Sequence, residues 1–192
     1  MNARRNAALL GRLKPHREGW GPRPAEVTPE PAGPGEESVW DYPRPPLVRE
    51  APGRVIVRHG GQTIADTIRA LEICETAGAP VPYIPPEDVA LHHLRRASGA
   101  SLCEWKGEAV YFDVVTPDKT ARKAAFAYPD PLDDLDRGFS RLAGWIAFHP
   151  GLVDEAWIDG LRARPQPGGL YAGWVTEQIK GPIKGGPGTG RW

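Results

Sequence analysis

Cys103 and Lys106, three positions apart and followed by Gly107, carry the sharpest chemical signal in the chain. After Gly107 the residues alternate with period two: Ala109, Tyr111 and Asp113 share one face, and Val110, Phe112 and Val114 the other. That is the pattern of a strand buried on its apolar face. Lys106-Gly107 sits between two such runs, so a tight hairpin is expected, with Gly107 free to take positive φ. An ammonium there can hold a phosphate or carboxylate or, if desolvated, act as a nucleophile or an acid. A turn-tip lysine makes few packing contacts, so its loss is expected to cost no more than about 0.5 kcal/mol. Cys103 reads first as a packed thiol with no neighbouring base in sequence, although Lys106 can stand across the turn. Lys106 and Cys103 are the catalytic candidates.

Other reactive residues lack a productive pattern. His92-His93, with His59 and His149, invite a metal, but adjacent histidines on one turn point apart and no second pair has zinc spacing. Two cysteines without a Cys-x-x-Cys cannot complete a structural zinc set, so no metal and no cofactor are expected. Asp130, Asp133, Asp134 and Asp136 crowd one loop without the glycine and closing glutamate of an EF-hand. The glycines from Gly185 to Gly190 are not followed by the Lys-Ser/Thr and helix of a phosphate-binding loop. No Gly-x-Ser-x-Gly is present, and Ser38, Ser98, Ser101 and Ser140 have no triad context.

The elements that must position these residues are legible in outline. With 23 glycines and 22 prolines concentrated at the ends of a 192-residue chain, the core falls in the middle. Lysine and arginine number 24 against 24 aspartate and glutamate, which removes any global argument for nucleic acid or acidic membranes. No secretory signal or membrane-length apolar run is visible, so a soluble, cytoplasmic protein with reduced thiols is expected. Ala7 to Leu13 can form a short helix that Pro15 stops, within a frayed basic terminus that includes Arg4 and Arg5. Eight prolines from Gly21 to Pro46 read as a linker or strap, from which Val39-Trp40-Asp41-Tyr42-Pro43 should dock on the body. Arg54 to Arg58, Gln62 to Thr67, Arg69 to Thr76, Thr120 to Tyr128 and Leu142 to Phe148 read as strands. Val81 to Ile84 is expected as an edge strand because of Pro82. Glu87 onward is expected as a helical turn entered through Pro85-Pro86, and Leu152 to Ile158 as a short helix.

Four ordered motifs then resemble one family. They are Ala65-Asp66-Thr67 through Glu75-Thr76 and Tyr83-Ile84-Pro85-Pro86-Glu87-Asp88-Val89; Cys103 to Tyr111; Ala125-Phe126-Ala127-Tyr128-Pro129-Asp130-Pro131; and Gly144-Trp145-Ile146-Ala147-Phe148. The chain is similar over roughly residues 52–158 to the bacterial family called domain of unknown function four-two-seven, sometimes labelled nucleotidyltransferase-like. The resemblance implies a mainly β fold: a small antiparallel, tent-like domain of two sheets, with few short helices and irregular Pro/Gly-rich extensions. It divides the chain into an arm over 1–51, a β domain over 52–158, and a Gly/Pro/Trp-rich extension over 159–192 packing on the domain. Relatives of that shape hold zinc through paired Cys-x-x-Cys knuckles, which this sequence lacks. Asp66, Arg69, Glu75, Tyr83, Tyr111 and Tyr128 match the family's polar positions and, with Lys106, form the expected ligand-binding set.

Two function classes remain. One is a small-molecule domain, for an anionic or nucleotide-like ligand and with transferase-type chemistry open to it, that uses a polar pocket around Lys106. The alternative is a non-catalytic interaction module that uses the aromatic arm, the tail and a sheet edge. A small-molecule partner is expected, with no nucleic acid and no membrane, and a homo-oligomer is left open.

Overall fold

Period-two alternation organises the central residues into sheets. The computed structural model describes residues 3–192, with side chains from residue 7 onward, so those of Arg4 and Arg5 lie outside the described ones. The strands are β1 (Glu37–Ser38), β2 (Leu47–Glu50), β3 (Val55–His59), β4 (Gln62–Thr67), β5 (Leu71–Cys74) and β6 (Val81–Ile84). They continue with β7 (Leu94–Cys103), β8 (Gly107–Val115), β9 (Thr120–Ala127), β10 (Ile146–Phe148) and β11 (Glu155–Ile158). The short β12 (Leu161–Arg162), β13 (Arg164–Pro165), β14 (Trp174–Val175) and β15 (Ile179–Lys180) complete them. One α-helix is described, α1 (Ala3–Glu18), with 3-10 turns at Pro86–Asp88, Leu91–His93 and Phe139–Leu142. The fold is mainly β, and none of its sheets closes into a barrel.

A seven-stranded antiparallel sheet runs β2-β5-β6-β10-β9-β8-β7, and a four-stranded one runs β12-β11-β3-β4. β1 pairs in parallel with β15, and β13 pairs antiparallel with β14, so both chain ends add strands of their own. Gly60 and Gly61, at φ 53° and 71°, make the two-residue turn between β3 and β4 that needs positive φ at both positions. Glu104-Trp105-Lys106 make a three-residue loop between β7 and β8, with Gly107 at φ 86° closing it.

Alternation along the seven-stranded sheet splits its side chains between two cores. Ile84, Ala125, Ala127, Ile146 and Phe148 pack with Val55, Val57 and Ile64 of the four-stranded sheet. The intervening Tyr83, Phe126, Tyr128 and Ala147 face the other way and pack with Trp105, Phe139 and Leu142. Val39 and Tyr42 bury against Cys74 in a third cluster, so the aromatic part of the arm docks on the body.

Four expectations are corrected. α1 runs through Pro15 to Glu18 rather than stopping. Leu13 is buried, and Arg17 donates to the Glu104 carbonyl at 2.6 Å and pairs with Asp134 at 2.6 Å, so docking holds the turn that the missing proline N–H weakens. β6 is interior rather than an edge. β10 pairs with β6 only at Tyr83 and Ile84, and the Phe148 carbonyl accepts from the Trp174 indole at 3.0 Å. Leu152 to Ile158 is no helix: Glu155–Ile158 is a strand on β3, since Ala156 and Ile158 alternate inward against Val57 and Val55. Of the Leu142 to Phe148 run only Ile146–Phe148 is strand, because Gly144 at φ 75° breaks the extended path. No helix among the described residues is long and apolar enough to cross a membrane.

Candidate functional site

Register places Tyr83, Ala147, Phe126 and Tyr111 side by side across β6, β10, β9 and β8. Because they share one face, this row forms an aromatic floor. The Tyr83 ring meets Phe126 edge-on at 6.0 Å and Tyr128 at 6.4 Å, and Tyr111 lies 6.3 Å from Phe126. The Tyr111 hydroxyl is fixed against Ser101 Oγ at 2.7 Å. Above this floor opens a cleft of about 340 Å³. Burial pushes the Tyr83 and Tyr128 phenols well up, so both stay protonated and can donate hydrogen bonds.

Lys106 enters the cleft from the β7–β8 loop, and the loop is pinned from outside by the Leu132 amide donating to the Lys106 carbonyl at 3.0 Å. Only 8% of the residue is exposed, so the turn-tip picture of a lysine with few packing contacts is corrected. The loop folds down onto the aromatic face, with Trp105 buried beside it. The ammonium lies 5.3 Å from the Tyr128 ring centroid, and among the described residues no carboxylate comes within salt-bridge distance of it. Burial opposes its charge, but its surroundings hold its pKa above the ordinary lysine value, with Glu75 the neighbour that carries a negative charge at neutral pH. Lys106 is therefore an ammonium at neutral pH, suited to an anion rather than to attack as a free amine. Cys103, half-buried and with a free thiol, lines the same cleft.

Glu75 is the electrostatic hub. Its Oε1 takes Lys184 Nζ at 3.2 Å and Arg44 Nε at 3.2 Å. Burial raises the cost of its charge, yet Lys184, Lys106 and Arg44 together hold its carboxyl below the usual range. Lys106 and Lys184 thus line the cleft with two carboxylates, Glu75 and Glu104, while Arg44 is held on Glu75.

The remaining walls come from the two chain ends. Trp20 follows α1, donates its indole N–H to Glu104 at 3.1 Å, and carries the Arg44 guanidinium over its ring at 4.0 Å. Lys184 lies 5.4 Å from the Trp20 ring and 5.0 Å from that of Tyr171. Gln166 ties the tail down, accepting from the Ala79 amide at 2.9 Å and donating to the Lys184 carbonyl at 3.0 Å. His149 sits 5.3 Å from Phe126, and burial lowers its pKa against a hydrogen bond with the Tyr171 backbone, so its imidazole is neutral.

Of the expected set, Glu75, Tyr83, Cys103, Lys106, Tyr111 and Tyr128 line this one cleft. Asp66 and Arg69 do not. Asp66 pairs with Arg54 at 2.5 Å on the four-stranded sheet, and Arg69 pairs with Asp88 at 2.8 Å, both at the surface. The mismatch is one of facing: β4 belongs to the other sheet, and Arg69 precedes β5 at an exposed turn. Trp20, Arg44, His149, Gln166 and Lys184 were not anticipated. The expected packing of the 159–192 extension on the domain does not single out Lys184. Among the described residues no group of three potential ligands could hold a metal ion.

A family model described as a domain of unknown function (DUF427) matches residues 47–159. No curated protein matches the chain.

Proposed function

The chain belongs to the DUF427 family, and we propose that it binds a small anionic molecule with an aromatic body in the cleft around Lys106. One observation carries the reading: Lys106, a residue only 8% exposed, lines a concave site with no carboxylate within salt-bridge distance among the described residues. Burying a charge unpaired is costly, so a site that does so is built for a counter-charge supplied from outside. Glu75 does not fill that role, because Lys184 and Arg44 take its Oε1. The phenols of Tyr83 and Tyr128 add donors for the same anionic group, while Phe126, Tyr171 and Trp20 offer ring faces to a planar body. At about 340 Å³ the cleft lies at the small end of ligand sites, which favours one or two fused rings over an extended cofactor.

The test is calorimetry with phenyl phosphate and AMP, and with phenol as the uncharged control. Phenyl phosphate should bind and phenol should not, and Lys106→Met should weaken binding about 10- to 100-fold, the loss of one charge-assisted hydrogen bond. Methionine keeps the apolar stem, so the variant should remain folded. Equal binding by the native protein and Lys106→Met would dispose of the reading.

A further inference from the structure

We infer that the protein carries a second small-molecule site, an acidic cleft of about 330 Å³ on the opposite face of β5 and β6, which takes a small organic cation. The two clefts use alternate residues of the same strands. Ile73, Val81 and Tyr83 face the Lys106 cleft, whereas Glu72, Pro80 and Pro82 face this one. They share no lining residue.

The second cleft opens where the space between the two large sheets ends, beside Ile158 and Trp174. Its walls are Pro52, Pro80, Pro82, Ile158, Trp174 and Ile179, an apolar surround for a short hydrocarbon body. Its charged lining is Glu36, Glu37, Glu72 and Asp159 against one guanidinium, Arg49. Lys180 ties only Glu36, at 2.8 Å, and Asp159 has no ion-pair partner among the described residues.

Glu72 is what makes this more than an acidic rim. It is 1% exposed and stands in the middle of β5. Its Oε1 takes both Arg49, at 2.7 Å, and the Cys74 thiol, at 3.7 Å. No hydrogen bond from the described residues reaches its Oε2, which leaves that oxygen to the cleft. Arg49 cannot complete it, because the same guanidinium also pairs with Glu37 at 2.6 Å. One cation is therefore shared by two carboxylates, at a position where an uncompensated charge is costly. Burial pushes the Glu72 carboxyl up despite Arg49, as expected of a carboxylate short of positive charge. A protonated amine on Oε2 supplies the missing charge and three donors.

The test is NMR titration of the 15N-labelled full chain at pH 7.5 with cyclohexylamine, and with cyclohexanecarboxylate as the control of opposite charge. Saturable shifts should appear at the Trp174 indole and in β5 and β6 with the amine only. Glu72→Gln should raise the amine's dissociation constant about tenfold or more, and Lys106→Met should leave it within about twofold. Should Glu72→Gln fail to fold, Asp159→Asn on the rim should still weaken the amine about threefold. Absence of saturable amine binding, equal binding of the carboxylate, or an unchanged constant in the folded variants overturns the proposal. The Lys106 reading is untouched by any of these results, since its probe and its variant are different.

Discussion

Replacing Glu75 by glutamine should lower stability and strengthen anion binding at the same time. The substitution keeps the shape but removes the charge that Lys184 and Arg44 share at 3.2 Å each. Side-chain exposures of 5% for Lys184, 11% for Arg44 and 20% for Glu75 leave little solvent to screen the orphaned cations. Removing one partner of a fully buried pair costs about 3–5 kcal/mol; with Glu75 partly open to the cleft, about 2–4 kcal/mol is expected. For a chain of this size that is a fall in melting temperature of roughly 4–15 °C. The lowered pKa of Glu75 fixes the pH dependence. Its contribution is full above the unfolded value of 4.5 and is lost as pH falls from there through the depressed folded value. The variant should lack this acid limb. Meanwhile the cleft loses a negative charge, which favours a ligand anion: at an effective dielectric near 20, unit charges ~10 Å apart interact by roughly 1.7 kcal/mol. Calorimetric melting and titration with phenyl phosphate measure the two effects. Adding Lys184→Met to Glu75→Gln should recover part of the stability, because it removes an ammonium left without a partner. A melting temperature equal to that of the native protein, or weaker phenyl phosphate binding by Glu75→Gln, would refute the role given to this carboxylate.

Gly173→Ala should destabilise the protein by about 1–3 kcal/mol and disturb ligand binding, since its Cβ would stand 2.1 Å from Gln166 Oε1 and 2.9 Å from the Ala79 carbonyl oxygen; denaturant unfolding measures the cost, and a neutral substitution would show that the tail is not held as described. Burial lowers the pKa of both His59 and His149, so stability should be full above their unfolded value of 6.5 and should fall as pH drops below it. Melting temperatures at pH 7.5, 6.5 and 5.5 check this, and His149→Phe should flatten the slope; a slope identical to that of the native protein would place the proton uptake elsewhere.

The β hairpins were legible because their patterns are local. Gly60-Gly61 and Lys106-Gly107 each sit between alternating runs, and positive φ at those glycines needs nothing from the rest of the chain. Side-chain facing was legible within a strand but not between sheets, which is why Tyr83, Tyr111 and Tyr128 fall together while Asp66 falls on the other sheet. Pro82 misled for a related reason: a proline is excluded only where a neighbour needs its N–H, and the Phe148 carbonyl takes the Trp174 indole instead. Leu152 to Ile158 reads as a helix because a short, partly apolar run suits either period, and only the pairing of Glu155–Ile158 with β3 decides it. Lys184 and Trp20 lie in segments whose composition signals irregular chain. Their place in the cleft depends on contacts about a hundred residues away, such as Lys184 with Glu75, 109 positions apart.

The most direct test of the Lys106 cleft is a crystal structure of the protein with phenyl phosphate. A phosphate oxygen should lie about 2.7–3.0 Å from Lys106 Nζ, and the ring should rest on the Tyr83, Phe126 and Tyr111 floor. A cleft left empty at saturating ligand, or a phosphate held by surface arginines with Lys106 untouched, would contradict it.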